Sequence, residues 1–315
     1  MRKAFSDALV AAALADPKVL LLTGDHGYAL FDAFRKACPN QYINCGVAEQ
    51  NMVGVAAGLA RGGFRPIVYG LAAFVPVRVL EQIKVDVCHE ELPVVFIGDG
   101  AGFVYGQLGS SHQSTEDIAC ARALPGLTVL SPADRFELTA AFQLACEQVS
   151  PVYLRLGKSD RGDVHAGPVK LSVGVLLKIR GGSGKGALIA TGSMVRTALD
   201  IVDAGLDAEV WSAPTIKPID GKILGEICRR VNWLVVLEEH SVMGGLGACI
   251  AETVTMIRPV PVCRIGVEDR FSEFCGSYEY LLREHRLDTE SVKQRIAGFL
   301  SAVDGEQNFD FPQAV

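Results

Sequence analysis

Val19-Leu20-Leu21-Leu22-Thr23-Gly24-Asp25-His26 is a run of four aliphatic residues that stops abruptly in a polar, glycine-bearing turn. Four residues is strand length, far short of the roughly 20 apolar residues needed to cross a bilayer. The same unit recurs. Pro66 to Tyr69, Pro93 to Ile97, Leu127 to Leu130 and Val152 to Leu156 make five such runs in the first half. Ala187 to Ala190, Ala208 to Trp211, Trp233 to Leu237 and Val260 to Ile265 add four more. Helical stretches lie between them, the pattern of strand, crossover helix and parallel strand, so the sequence predicts an α/β fold with mostly parallel sheets. Gly157 to Gly186 separates the two groups of runs, is rich in glycine and charge, and reads as a linker. It ends in Gly181-Gly182-Ser183-Gly184-Lys185-Gly186, which lacks the Gly-x-x-x-x-Gly-Lys-Ser/Thr spacing of a phosphate loop. The expected organisation is a domain over 1–160, a linker over 161–185 and a second domain over 186–315.

The whole chain has 315 residues, room for two domains and a large core. Hydrophobic residues make up 49% and charged residues 21%, a globular balance far from the signature of disorder. Thirty basic against 36 acidic residues give a net charge of −6, and no Lys/Arg-rich run offers a footprint for nucleic acid. Arg2-Lys3 is not followed by an apolar stretch, since Asp7 and Asp16 interrupt it, so neither a secretory signal nor a membrane anchor is expected. Nine cysteines, with no Cys-x-x-Cys pair, suit reduced thiols and a cytoplasmic location.

Ligands of open α/β sheets bind beyond the carboxyl ends of strands, which directs attention to the turns. Asn44-Cys45-Gly46-Val47-Ala48-Glu49-Gln50-Asn51-Met52 opens a helix that runs to Arg61 and stops at Gly62-Gly63. Met52, Val55, Ala56 and Leu59 are its expected apolar stripe, and Glu49, one turn before Met52, projects toward the buried side. Two readings stand: a third helical residue after a Gly46 cap that complements the helix dipole, or a buried carboxylate that something uses. His112, in Gly109-Ser110-Ser111-His112-Gln113, is either a structural hydrogen-bonder or an acid/base whose small neighbours let a ligand approach the backbone. Phe74, after the strand ending at Tyr69, is either core or a platform for a flat heterocycle.

In this order the pieces resemble the transketolase family of thiamine-diphosphate enzymes, over nearly the whole chain. Arg2-Lys3-Ala4 is similar to the opening of the family's pyrimidine-binding domain, and Gly24-Asp25 to its cofactor-contacting turn. Asn44 to Met52 resembles the segment carrying the family Glu, Gly70 to Lys84, with Phe74, Arg78, Glu81 and Gln82, its aromatic segment, and Gly109 to Gln113 its His-Gln turn. Ala190-Thr191-Gly192-Ser193, Thr215 to Asp220, Glu238-Glu239-His240 and Gly244-Gly245-Leu246-Gly247 resemble the carboxy-terminal domain.

The resemblance implies two three-layer α/β/α domains, a pyrimidine-binding domain followed by a transketolase carboxy-terminal domain. It implies transfer of a two-carbon ketol unit between sugars or sugar phosphates, with Glu49 and His112 catalytic. Asp25, Glu49, Leu71 and Phe74 would contact thiamine diphosphate, and Arg2, His112 and Lys158 the substrate. Glu49 would hydrogen-bond the aminopyrimidine and favour its imino tautomer. The family's amino-terminal, diphosphate-binding domain has no counterpart here. Gly98-Asp99-Gly100 lacks the downstream Asn of that domain's metal motif, the next one being Asn232, and reads as a strand-end turn. A split enzyme is therefore expected, in which a separate subunit supplies the diphosphate pocket and the Mg2+ ligands, assembled as an α2β2 heterotetramer around a homodimeric core. Leu108, Leu71 and Ala29 depart from family positions that read a sugar hydroxyl, line the pocket and contact phosphate. Lys158 stands where an Arg usually holds the acceptor phosphate, and a Lys cannot grip it bidentately. The expected donor or acceptor is accordingly less ordinary than those of central sugar metabolism. Competing readings are the beta subunit of a 2-oxo acid dehydrogenase and a non-catalytic regulatory subunit.

Overall fold

The computed structural model describes residues 1–27, 29–158 and 161–304. Tyr28, Ser159, Asp160 and the last residues of the predicted second domain lie outside the described residues. In the first domain α1 (Arg2–Ala15) leads to β1 (Val19–Thr23), α2 (Asp32–Ala37) to β2 (Tyr42–Asn44), and α3 (Glu49–Arg61) to β3 (Arg65–Leu71). Then come α4 (Leu80–Gln82), β4 (Val95–Asp99), α5 (Asp117–Arg122), β5 (Thr128–Leu130), α6 (Arg135–Glu147) and β6 (Val152–Leu156). The second half contains β7 (Leu177–Arg180), β8 (Gly186–Ala190), α7 (Met194–Asp203), β9 (Glu209–Ser212), β10 (Thr215–Lys217) and α8 (Gly221–Arg230). It closes with β11 (Trp233–Ser241), α9 (Leu246–Ile257), β12 (Val262–Val267), α10 (Tyr278–Glu284) and α11 (Thr289–Asp304).

All nine expected runs are strands. The first sheet has the order β10-β5-β6-β4-β3-β1-β2 and the second β12-β11-β8-β9-β7. Pairing is parallel except for β10 on β5 and β7 on β9. Alternate residues of β1 enter different cores: Leu20 and Leu22 pack with α3, Val19 and Leu21 with α1 and α6. The first sheet is therefore covered on both faces, which is the three-layer arrangement. The α3-side core continues without a break through β8, α8, β11 and α9, joining the two sheets.

Two departures from the sequence reading concern this junction. The segment read as linker carries no helix or strand over 161–176, but Leu177–Arg180 is the edge strand of the second sheet, with Leu177 and Ile179 half-buried and Lys178 and Arg180 outward. Thr215–Lys217 belongs by sequence to the second half and yet pairs antiparallel with β5 in the first sheet. Helix α3 also differs in detail. Gly46, at φ +71, turns the chain with its N–H on the Asn44 side chain, so that Glu49 is the first helical residue rather than the third. Its buried stripe is Met52, Val53, Ala56, Ala57 and Ala60, while Val55 is exposed. Among the described residues no helix is long and apolar enough to cross a membrane.

Candidate active site

From β1 the chain runs outward to β2 and then crosses back through α3 to β3 on the other side of β1. Chain direction therefore reverses across the sheet at β1 and β3, and the carboxyl ends there form the crevice where such sheets bind ligands. Three segments meet in it. After β1 come Asp25 and His26, after β2 comes Glu49, and after β3 comes Phe74. The first two are drawn together because the Cys45 N–H donates to the Thr23 carbonyl, 2.8 Å, and Gly24 lies on the Gly46 carbonyl so closely that a Cβ would sit 2.7 Å from it. In the third, the Leu71 carbonyl accepts from the Phe74 and Val75 N–H groups and starts a turn. Arg78 follows Phe74 by four residues, so its guanidinium lies 3.9 Å from the Phe74 ring centroid.

Glu49 is the focus. Its residue is only 5% exposed, and Oε1 is shut off from water without a hydrogen bond of good geometry. Arg78 Nη1 stands 3.2 Å and His26 Nε2 3.6 Å from that oxygen. Burial pushes the His26 imidazole below its usual pKa, Glu49 and Asp25 oppose that shift, and Arg78 adds to it. His26 Nδ1 is likewise buried and unpartnered. The Phe74 ring, half-buried, has His26 at 5.9 Å and His112 edge-on at 5.4 Å. Glu49, Phe74 and His112 thus lie in one cluster joined by His26 and Arg78. Arg78 covers one ring face of Phe74.

His112 sits on a turn built by Gly109, at φ +82, whose carbonyl accepts from the N–H groups of His112 and Gln113. The Ser111 hydroxyl lies 3.0 Å from His112 Nδ1. Gly102 and Ser114 close this loop by exchanging backbone hydrogen bonds. The second domain then clamps it. Glu239 Oε1 accepts from the Phe103 N–H at 2.7 Å, and its Oε2 takes the hydroxyls of Ser193 and Tyr278. Arg155 donates to Ser114 O, to Glu239 O and, from Nε at 2.8 Å, to Asp117, itself held by Tyr153. His240 Nδ1–H donates to the Ser241 carbonyl and Nε2 accepts from the Ala119 N–H. Glu239 and His240 are therefore one attachment of the second domain to the ends of the loop carrying His112.

Arg2 forms an ion pair with Asp99, whose carboxylate also takes the hydroxyls of Tyr69, 2.8 Å, and Tyr105, 2.9 Å. Asp99, at the end of β4, is thereby fully engaged, in keeping with a strand-end turn. Asp25 is exposed beside His26, and Leu71 is half-buried at the end of β3. Lys158 Nζ lies 5.0 Å over the Tyr278 ring and lines a separate cavity of about 390 Å³ with Arg161, Arg283 and Asp288. Sequence reasoning gave no role to His26 or Arg78. The four-residue spacing of Phe74 and Arg78 was the signal for one; nothing local marked the other.

Two family models match the chain: the transketolase pyrimidine binding domain over residues 1–162 and the transketolase C-terminal domain over 178–292. One subunit of an apulose-4-phosphate transketolase of Phocaeicola vulgatus is 33% identical over 297 residues, 92% of this chain and 94% of its own length. The 6-deoxy-6-sulfo-D-fructose transketolase subunit SqwH of a Clostridium species is 33% identical, with 93% and 92% covered. A 1-deoxy-D-xylulose-5-phosphate synthase of Chlorobium luteolum is 33% identical over 94% of this chain but 48% of its own length. Among solved structures, a split gene transketolase described as an inactive beta4 tetramer superposes with a TM-score of 0.88 at 34% identity, covering 95% of this chain and 98% of that one. The chain belongs to the transketolase family and spans its pyrimidine-binding and C-terminal domains.

Proposed function

We propose that this chain is one subunit of a split, thiamine-diphosphate-dependent transketolase that moves a two-carbon ketol unit between sugars or sugar phosphates. The observation that carries the proposal is Glu49 Oε1, buried and without a hydrogen bond where three loops converge. An unsatisfied carboxylate oxygen is costly, and a ring nitrogen able to share a proton would satisfy it. The ring of Phe74 and the apolar side chain of Leu71 suit a flat heterocycle, with Asp25 beside it at the rim. Glu49 would hold the proton at Oε1, and Arg78 would keep the carboxyl group charged when that proton leaves. His112, with Nδ1 occupied by Ser111, would present Nε2 to the hydroxyl or carbonyl of the substrate and exchange a proton with it. When bound, thiamine diphosphate supplies the carbon nucleophile and the electron sink for C–C cleavage.

The diphosphate and its Mg2+ are assigned to a second subunit, because Asp99 is committed to Arg2, Tyr69 and Tyr105. Helix α3 supports such an assembly. Gly54 and Gly58, one turn apart on its outer face, are exposed beside Asn51 and Val55, and a Cβ on either glycine would meet nothing within 4 Å. Relatives of the same length are named as transketolase subunits, which agrees with this division. Lys158 would neutralise an anionic end of the acceptor as a point charge. The test is co-purification with the product of the adjacent open reading frame and assay over a panel of free and phosphorylated sugars. Two-carbon transfer that requires both chains is expected. Release of carbon dioxide from pyruvate without ketol transfer would assign the chain to the 2-oxo acid dehydrogenases instead, and no turnover in the assembled complex would assign it a regulatory role.

A further inference from the structure

Gln113, next to His112, is 6% exposed, and its side chain turns away from the crevice into the second domain. There its Oε1 accepts from the Ser272 hydroxyl at 2.9 Å, and the same Ser272 oxygen lies 2.9 Å from His285 Nε2. The single hydroxyl proton of Ser272 is spent on Gln113, so its oxygen acts as the acceptor and His285 Nε2 carries a hydrogen. His285 is 3% exposed, ends α10 with its N–H on the Leu281 carbonyl, and is stacked on Phe103 with ring centroids 4.7 Å apart. Burial lowers its pKa, which agrees with a neutral ring. Two complementary groups are left over: Gln113 Nε2, a donor, and His285 Nδ1, an acceptor, both buried and unpartnered. Both residues border a space of about 20 Å³ that Ser272 and Arg270 also line, large enough for one water bridging donor to acceptor.

We infer that Ser272 and His285 of the second domain are positioning residues for His112, acting through the buried side chain of Gln113. The turn itself has little to fix it. Its residues are small, Gly109 is at positive φ, and its two internal hydrogen bonds both end on one carbonyl. Gln113 is the side chain of that turn anchored across the domain boundary, so its anchor sets where the preceding imidazole stands against Phe74. Phe103 ties the same device to the Glu239 clamp, since its ring carries His285 and its N–H is held by Glu239.

This inference rests on the role given to His112 above, and the experiment separates the two. In the assembled complex, Ser272→Ala and His285→Phe, the latter keeping the stack on Phe103, are compared with His112→Ala and with the double variant His112→Ala/Ser272→Ala. Ser272→Ala is expected to lower kcat by roughly tenfold, part of the 10²–10⁴ that a positioned acid/base contributes, with cofactor affinity unchanged. The double variant is expected to be no slower than His112→Ala, because the anchor acts only through that ring. In the isolated chain, the His112 Cε1–H resonance, assigned by its loss in His112→Ala, should shift in Ser272→Ala and in His285→Phe. Losses that add in the double variant, or an unmoved His112 resonance, would overturn the relay while leaving His112 in place. Full activity of His112→Ala would overturn the reading of the site itself.

Discussion

Glu49 can be read from one replacement. Gln has the same shape and lacks the charge, so Glu49→Gln leaves the packing of α3 intact and removes a buried carboxylate whose Oε1 has no hydrogen bond, together with its ion pair to the half-exposed Arg78. The isolated chain should melt at the same temperature or slightly higher. In the assembled complex kcat should fall by at least about 10²-fold, because an amide cannot take up the proton. Full activity of the complex would remove Glu49 from the catalytic role. The position of this carboxylate was legible because the helical spacing from Glu49 to Met52 puts both on one side. Its neighbours were not. Arg78 and His26 reach Oε1 from loops that follow other strands, and such a meeting is fixed by strand order, which no local periodicity reports.

At the scale of elements, the carboxyl end of β11 packs against the start of α9, and two acid–base groups are sealed there. Glu238 accepts from the Leu246 and Gly247 N–H groups, and His240 Nδ1 lies 3.7 Å from its Oε2. Burial raises the Glu238 carboxyl to about 7 and lowers the His240 imidazole to about 4, with Asp117 opposing and Arg155 reinforcing the histidine's shift. The signs are opposite. His240 folds neutral, so its contribution is present above its unfolded pKa of about 6.5 and is lost as pH falls toward 4. Glu238 folds protonated, so its contribution is present below about 4.5 and is lost as pH rises through 7. The two slopes largely cancel in the wild type between those limits. His240→Gln, which keeps an acceptor for the Ala119 N–H, removes one of them. Its urea unfolding free energy, compared with wild type, should worsen by about 3 kcal/mol on going from pH 4 to pH 7, from 1.36 kcal/mol per pKa unit. A difference that does not change with pH would show that the ring is not buried neutral.

The elements also show where pattern reading stops. The nine strands found from sequence are short aliphatic runs, and most are buried over their whole length, which their continuous Val/Ile/Leu composition states directly. The three not found, β2, β7 and β10, are three- or four-residue strands at sheet edges. Leu177–Arg180 does alternate inward and outward, but a single alternation inside a glycine-rich, charged stretch is indistinguishable from loop until β9 is there to pair with it. Lys217, in β10, donates Nζ to the Arg122 and Leu124 carbonyls, an attachment to the first domain that exists only in three dimensions.

At the scale of the whole molecule, the proposed function requires that the crevice at Glu49 be completed by a second subunit. Gly54 and Gly58 lie mid-helix, where glycine costs up to about 1 kcal/mol relative to alanine, and no described residue of this chain comes near the space in front of them. That cost is understandable if another backbone lies there in the assembly, on the helix whose first residue is Glu49. Gly58→Leu then separates folding from assembly. The isolated variant should unfold at a denaturant midpoint equal to or above wild type, because Leu is the better helix former and its Cβ meets no neighbour within 4 Å. It should fail to form the complex, with association weakened at least tenfold in sedimentation or calorimetric titration against the partner subunit. The same division predicts that the isolated wild-type chain binds thiamine diphosphate and Mg2+ weakly. Sub-micromolar binding in calorimetry would mean that this chain holds a whole site, and normal assembly of Gly58→Leu would move the partner to another face.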